Sequence, residues 1–263
     1  MKIAIIGGGN MGGAIAKGIA AGSLVPASNL TVTAHTQKTL DKIKSFHAEI
    51  NTTLDNRMAV QGADLIIIAV KPWLLEDVVA GFRDLLDYSC QSVASVVAGV
   101  SFDRLQTMLD NGSGISPVMY RIIPNTAISL GESVTFIAAQ GASDEQLKFV
   151  VSLFDELGQT IVVEESMMVA GTSLASCGIA FALKYLDASI QGGVELGFTP
   201  EESRAIVMQT MRGALEMMQH NQTMPQTEID KVTTPGGITL KGLAAMEEAG
   251  FVPAVKEGLF KSR

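Results

Sequence analysis

Charge is what this sequence has least of. Only 17% of its 263 residues are Asp, Glu, Lys or Arg, against about 25% in an ordinary soluble domain. Cations are the scarcer sign: 19 Lys and Arg face 27 Asp and Glu, for a net charge of −8. That balance argues against a nucleic-acid or anionic-membrane surface, which needs clustered Lys and Arg. Cysteine is nearly absent. Cys90 and Cys177 are far apart and lack metal-ligand spacing, so two reduced, buried thiols in a cytoplasmic chain are expected, and no metal. Histidine is scarce too, with only His35, His47 and His220. An uninterrupted apolar span is also missing. The charge-free stretch of residues 166–183 holds Gly171, Thr172, Ser173, Ser176, Cys177 and Gly178. It is too polar and slightly too short for a span of about 20 apolar residues, and reads as a buried helix rather than a membrane anchor. The start, Met1 to Gly7, has too short an apolar run for an export signal.

What is abundant is apolar surface. Apolar residues make up 47% of the chain beside 26 glycines, and the mean hydropathy is +0.30; so apolar a chain collapses rather than staying disordered. Short β-branched runs alternate with helical patterns in the first part: strands at 3–6, 30–34, 64–70, 93–97, 118–123, 134–138 and 161–163, with helices at 10–21 and 38–46. Ser143 and Gln146 form a capping-box pattern that opens another helix, which Gly158 is placed to close. After Glu164 the strand signal stops. Residues 167–197 read as one long apolar helix, Thr199-Pro200-Glu201-Glu202 opens a second, and 240–249 and 253–261 suggest two more. The expected fold is α/β: a Rossmann-type doubly wound sheet over 1–164, followed by an all-helical domain over 165–263.

The first chemistry-bearing motif is Gly7-Gly8-Gly9-Asn10-Met11-Gly12, a G-x-G-x-x-G pattern directly after a strand and opening a helix. Gly7 permits the tight turn, Gly9 lets a pyrophosphate reach the backbone, and Gly12 allows close helix–strand packing. A dinucleotide is the expected ligand. At the end of the second strand an NAD-binding chain usually carries an acid for the ribose hydroxyls. Here the segment reads Thr33-Ala34-His35-Thr36-Gln37-Lys38, and the first acid is Asp41. His35, Thr36 and Lys38 can donate to a 2′-phosphate, which favours NADPH and leaves NADH open. Val70-Lys71-Pro72 follows the apolar run at 64–70, where open α/β sheets bind ligands. Pro235-Gly236-Gly237 precedes a helix, and its backbone N–H groups suit a small carboxylate.

These segments resemble the pyrroline-5-carboxylate reductase family over nearly the whole chain. Gly7 to Gly12 is similar to its G-x-G-N-M-G opening. Asp55-Asn56, followed by Ala63-Asp64 and the run through Ala69-Val70-Lys71-Pro72, is similar to its D-N…A-D-(apolar)-A-V-K-P segment. Ala98-Gly99-Val100, Arg121 through Pro124-Asn125-Thr126, and Thr234-Pro235-Gly236-Gly237-Ile238-Thr239 resemble its A-G-V, R-x-M-P-N-T and S-P-G-G-x-T elements. The resemblance implies reduction of a cyclic imino acid, 1-pyrroline-5-carboxylate, to L-proline with NAD(P)H. It places Gly7, Gly9, Asn10, Met11, Gly12, Asn56, Ala69, Val70, Lys71 and Pro72 at the cofactor. Pro235, Gly236, Gly237, Thr239 and Asn125 fall at the substrate, with Thr239 hydrogen-bonding the imine nitrogen as the catalytic candidate. It also implies a homodimer through the helical domain, and commonly larger homo-oligomers.

The chain departs from the family at several places. The family's S-G-S-G-P-A reads Ala175-Ser176-Cys177-Gly178-Ile179-Ala180 here, E-H-P becomes Thr223-Met224-Pro225, and Ala127 follows Thr126 in place of proline. These changes leave a related imine open as substrate. A β-hydroxyacid dehydrogenase-like enzyme is the alternative class, but Lys184 is followed by Tyr185, Leu186, Asp187 and Ala188, without the Asn that class carries one turn on. A non-catalytic dinucleotide-binding regulator is the third reading, disfavoured by the intact Pro235–Thr239 segment. Arg121 and Lys71 each have a plain structural alternative, as an ion-pair partner and a solvated charge.

Overall fold

A computed structural model describes residues Met1–Arg263, which divide into two compact units, Met1–Ser176 and Cys177–Arg263. The first is built on an eight-stranded sheet: β1 (Ile3–Ile6), β2 (Leu30–Thr33), β3 (Asn51–Thr53), β4 (Leu65–Ile68), β5 (Ser92–Ser95), β6 (Val118–Ile123), β7 (Ser133–Gln140) and β8 (Gly158–Val162). Their spatial order is β3-β2-β1-β4-β5-β6-β7-β8, and every neighbouring pair is parallel except β6–β7. β1 and β4, Ile-Ala-Ile-Ile and Leu-Ile-Ile-Ile, are buried at every position, as central parallel strands covered on both faces must be. Alternate residues feed opposite cores. Ala4, Ile6, Ile66 and Ile68 enter one, while Ile3, Ile5, Leu65 and Ile67 enter the other.

Helices α1 (Asn10–Ala21), α2 (Gln37–Phe46), α3 (Asn56–Val60), α4 (Leu75–Ala80), α5 (Phe102–Leu109), α6 (Asp144–Asp155) and α7 (Met168–Gly171) cover the two faces. Ile15, Ile19, Ile43 and Leu153 pack on one side, and Val60, Val79, Leu105 and Met168 on the other. Ser143 and Gln146 close the predicted reciprocal capping box on α6, and Thr36, read from the sequence only as a cofactor residue, accepts the Thr39 N–H as the cap of α2.

Several sequence expectations need correction. β3 was not expected; its Asn-Thr-Thr is too polar to signal a strand, and it forms by pairing with β2 at the sheet edge. The short helices α3, α4 and α5 carry too few turns for a periodic signal. Gly158 does not close α6, which stops at Asp155; it opens β8 at φ +142°, where a Cβ would lie 2.1 Å from the Ser133 carbonyl oxygen. Cys90 is exposed rather than buried, on the turn before β5, while Cys177 is half-buried; both thiols are free.

The second unit contains α8 (Gly178–Glu195), α9 (Pro200–Asn221), α10 (Pro225–Val232), α11 (Ile238–Glu248) and α12 (Phe251–Lys261). Thr199 and Glu202 cap α9 reciprocally, as the sequence indicates. Gly193 brings α8 against α9: a Cβ there would sit 2.2 Å from Ser203 Oγ, which donates to the Ile190 carbonyl at 2.7 Å. The apolar helix read over 167–197 is not uniform, because Thr172–Cys177 is wound as a π-helix. The helical stretch Glu165–Glu195 is 31 residues and, by length and composition alone, long and apolar enough to cross a membrane. No apolar side chain beyond Met168 is buried within the chain.

Candidate active site

The glycine loop joins β1 to α1. Gly7 has φ +104°, a region that side chains avoid, and a Cβ there would lie 2.8 Å from the Ala69 carbonyl oxygen. At Gly12 a Cβ would be 2.1 Å from the Gly7 carbonyl oxygen and 2.9 Å from Ala69 Cβ. Gly9 is different. Its φ of −68° and ψ of −157° suit any residue, and nothing lies within 4 Å of where its Cβ would be. Gly9 is the N-cap of α1 with no side-chain capping bond, and the first turn carries no acid. The N–H groups of Asn10, Met11 and Gly12 therefore begin a helix whose positive end has no side-chain acceptor. This open cradle suits a pyrophosphate.

A residue the sequence reading missed holds the cradle in place. Thr33, at the end of β2 and 1% exposed, accepts the Gly7 N–H on Oγ1 at 3.2 Å, and its carbonyl accepts the Gly8 N–H. Only the pairing of β1 with β2 reveals this; nothing in the local pattern Leu-Thr-Val-Thr does. Beyond it, His35 and Lys38 are exposed, whereas the Thr36 hydroxyl caps α2.

Ala69 and Val70, just past β4, sit against the glycine loop, and Ala69 donates its N–H to the Ile6 carbonyl at 2.8 Å. Lys71 is exposed and caps a short 3-10 turn begun by Pro72. Asn56 opens α3, whose N-cap Asp55 accepts the Arg57 N–H at 2.8 Å. Arg57 donates to Asp84 at 2.9 and 3.0 Å and to the Gly81 carbonyl at 2.7 Å, tying α3 to the end of α4. Hydrogen bonding to Arg57 lowers the Asp84 pKa below its ordinary value. An open cleft of about 430 Å³ lies there, lined by Asn56, Arg57, Asp77 and Gly81.

Asn125 is buried just past β6. Its N–H donates to Ser133 Oγ at 3.1 Å, its Oδ1 accepts the Ala127 N–H at 3.0 Å, and Ser133 and Thr135 hydroxyls meet at 3.0 Å beneath it. Arg121, four residues before Asn125 and inside β6, is a structural ion-pair partner. It donates to Glu165 Oε1 at 2.7 Å, and the same oxygen accepts the Phe102 N–H at the start of α5. Burial pushes its neighbour Tyr120 up to about 12, so that phenol stays neutral.

The remaining candidates belong to the second unit. Thr234 to Gly237 form the turn before α11: Gly236 has φ +76°, the Gly237 N–H donates to the Thr234 carbonyl at 2.8 Å, and Gly237 caps α11 without a side chain. Pro235, Gly236 and Thr239 are exposed and Ile238 is 87% exposed. Lys184 is a surface charge on α8, 81% exposed and 3.6 Å from Asp187.

Residues 165–263 match the profile described as pyrroline-5-carboxylate reductase dimerisation, and residues 2–99 match NADP oxidoreductase coenzyme F420-dependent. The chain is 34% identical to pyrroline-5-carboxylate reductase 1 of Dictyostelium discoideum over 99% of its own length, and spans about half (48%) of that longer protein. It is 32% identical to pyrroline-5-carboxylate reductase 2 of the same organism, over 99% of this chain and 90% of the relative. A crystal structure of Plasmodium falciparum pyrroline carboxylate reductase with NADP bound superposes with a TM-score of 0.88 at 26% identity, covering 100% of this chain and 95% of that one. The chain belongs to the pyrroline-5-carboxylate reductase family.

Proposed function

We infer that this chain reduces 1-pyrroline-5-carboxylate to L-proline with NAD(P)H. The observation that carries the reading is the Thr234–Thr239 turn: exposed, left-handed at Gly236 and capped at Gly237 by backbone alone. The first N–H groups of α11, from Ile238 on, can receive a small carboxylate, aided by the positive end of that helix. Thr239, in the first turn of α11, is the candidate to hydrogen-bond the imine nitrogen. Reducing a C=N bond adds hydride to carbon and a proton to nitrogen. The nicotinamide, when bound, supplies the hydride. The chain's own work is orientation. The Gly7–Gly12 cradle, Asn56 and Ala69–Pro72 hold the dinucleotide, and Asn125 is assigned to the substrate. A threonine hydroxyl is too weak an acid to release its proton at neutral pH, so Thr239 orients the nitrogen, and the proton comes with an iminium substrate or from water.

The exposed His35 and Lys38 at the end of β2, without an acid beside them, support NADPH over NADH. The apolar surface of α8, α9, α11 and α12 supports a homodimer through the second unit, and two free thiols fit a reducing, cytoplasmic setting. The deciding measurement is loss of the nicotinamide absorbance when NADPH or NADH is mixed with pyrroline-5-carboxylate or its six-membered homologue. Consumption with the five-membered ring is expected. NADPH binding without turnover on either substrate would leave a dinucleotide-binding regulator in its place.

A further inference from the structure

Two of the contacts that the helix leaving the sheet makes with it are not aligned by ordinary helix geometry. Gly171 lies against Phe136 of β7, so closely that a Cβ would come within 2.8 Å of the ring. Ser176 donates its Oγ hydrogen to the Pro124 carbonyl at 3.1 Å, just past β6. Phe136 is the β7 partner of Ile123, so both contacts fall on adjoining positions of one strand pair. Gly171 and Ser176 are five residues apart. In an α-helix, at about 100° per residue, five residues turn the chain about 500°, leaving the second side chain about 140° from the first. Closing the turn by i→i+5 bonds instead brings residues five apart onto one face. Thr172–Cys177 is wound in this way, and the Thr172 hydroxyl donates to the Met168 carbonyl at 2.7 Å beside it, a side-chain bond that bends helices.

We propose that this π turn is a positioning device for the Pro124–Asn125 turn, with Ser176 as its positioning residue. The inference rests on the reading that Asn125 serves the substrate. Asn125 is fixed from beneath by Ser133, and its Oδ1 is committed to the Ala127 N–H; the Ser176 bond fixes the preceding peptide from the helix side.

The test compares Ser176→Ala and Ser176→Thr with the unaltered chain by amide hydrogen exchange without ligands and by steady-state kinetics. Ser176→Ala is expected to speed exchange at Asn125 and Ala127, and to raise KM for the imino acid by about three- to tenfold, as loss of one hydrogen bond allows. The NADPH Kd should not change, and Ser176→Thr should restore both readouts. Unchanged exchange in Ser176→Ala overturns the proposal, and so does faster exchange with unchanged KM, or a Thr variant as impaired as the Ala variant. If the unaltered chain consumes no NADPH, the functional reading fails by itself. The exchange data then judge the anchor: faster exchange in Ser176→Ala, restored by Ser176→Thr, supports it, and unchanged exchange overturns it.

Discussion

Replacing Gly9 by valine separates what the glycine loop does for the fold from what it does for a ligand. The backbone at Gly9 is in an extended region that valine adopts freely, and no protein atom lies within 4 Å of the new Cβ. The folded state should lose only the small N-cap preference for glycine, about 0.5–1 kcal/mol. Ligand binding should suffer far more. A branched side chain there occupies the approach to the first N–H groups of α1, and each charge-assisted bond to a phosphate contributes about 1.5–3 kcal/mol. Losing two weakens binding by about 10²- to 10⁴-fold. Gly12→Ala supplies the contrast. Its Cβ would stand 2.1 Å from the Gly7 carbonyl oxygen, so the loop must shift, at a cost of about 1–3 kcal/mol in stability. Urea unfolding and fluorescence titration with NADPH measure the two quantities on the same samples. The reasoning is refuted if Gly9→Val binds NADPH within threefold of the unaltered chain, or if its stability falls as far as that of Gly12→Ala.

Thr239→Ala should lower kcat while leaving the NADPH Kd alone, because the hydroxyl is read as orienting the substrate only; an unchanged kcat removes Thr239 from the reaction. Glu165→Ala strips Arg121 and the Phe102 N–H of a shared acceptor. With Arg121 buried but Glu165 partly exposed, a loss of about 1–3 kcal/mol is expected in urea unfolding, and no change in midpoint would make the pair ornamental. Glu228 is buried in α10 and held down to about 2, first by its hydrogen bond from Lys231 and then by that from Thr223. A carboxylate lowered in the folded state adds stability above its unfolded value of 4.5, and that contribution drains away as pH falls toward 2. The melting-temperature gap between the unaltered chain and Glu228→Gln should therefore be widest above pH 5 and close toward pH 2; a gap that is constant across that window contradicts the assignment.

Most of the sheet was legible because β1 and β4 are unbroken Ile-rich runs, and the caps at Ser143 and Thr199 use side chains that announce themselves. β3 was not, since Asn51–Thr53 owes its extension to β2 rather than to its own residues. The turn at Gly7, the close packing at Gly12 and the open space at Gly9 all followed from the glycine spacing. Thr33, Ser133 and Ser176 escaped notice for one reason. Each acts outside its own element, Thr33 on Gly7, Ser133 back across the β6–β7 connection on Asn125, and Ser176 on Pro124, and spacing in sequence carries no trace of such bonds. The π winding was equally hidden, because Thr-Ser-Leu-Ala-Ser-Cys has no residue that forbids an α-helix.

The absence of any buried apolar side chain after Met168 bears on how heat stability should be measured. In the proposed homodimer that surface is covered, so the free energy that holds the helices in place is shared between chains and enters by mass action. No single melting temperature then belongs to this protein. The midpoint should climb with chain concentration, and a dilute enzyme assay and a concentrated calorimetric scan will report different thresholds for the same molecule.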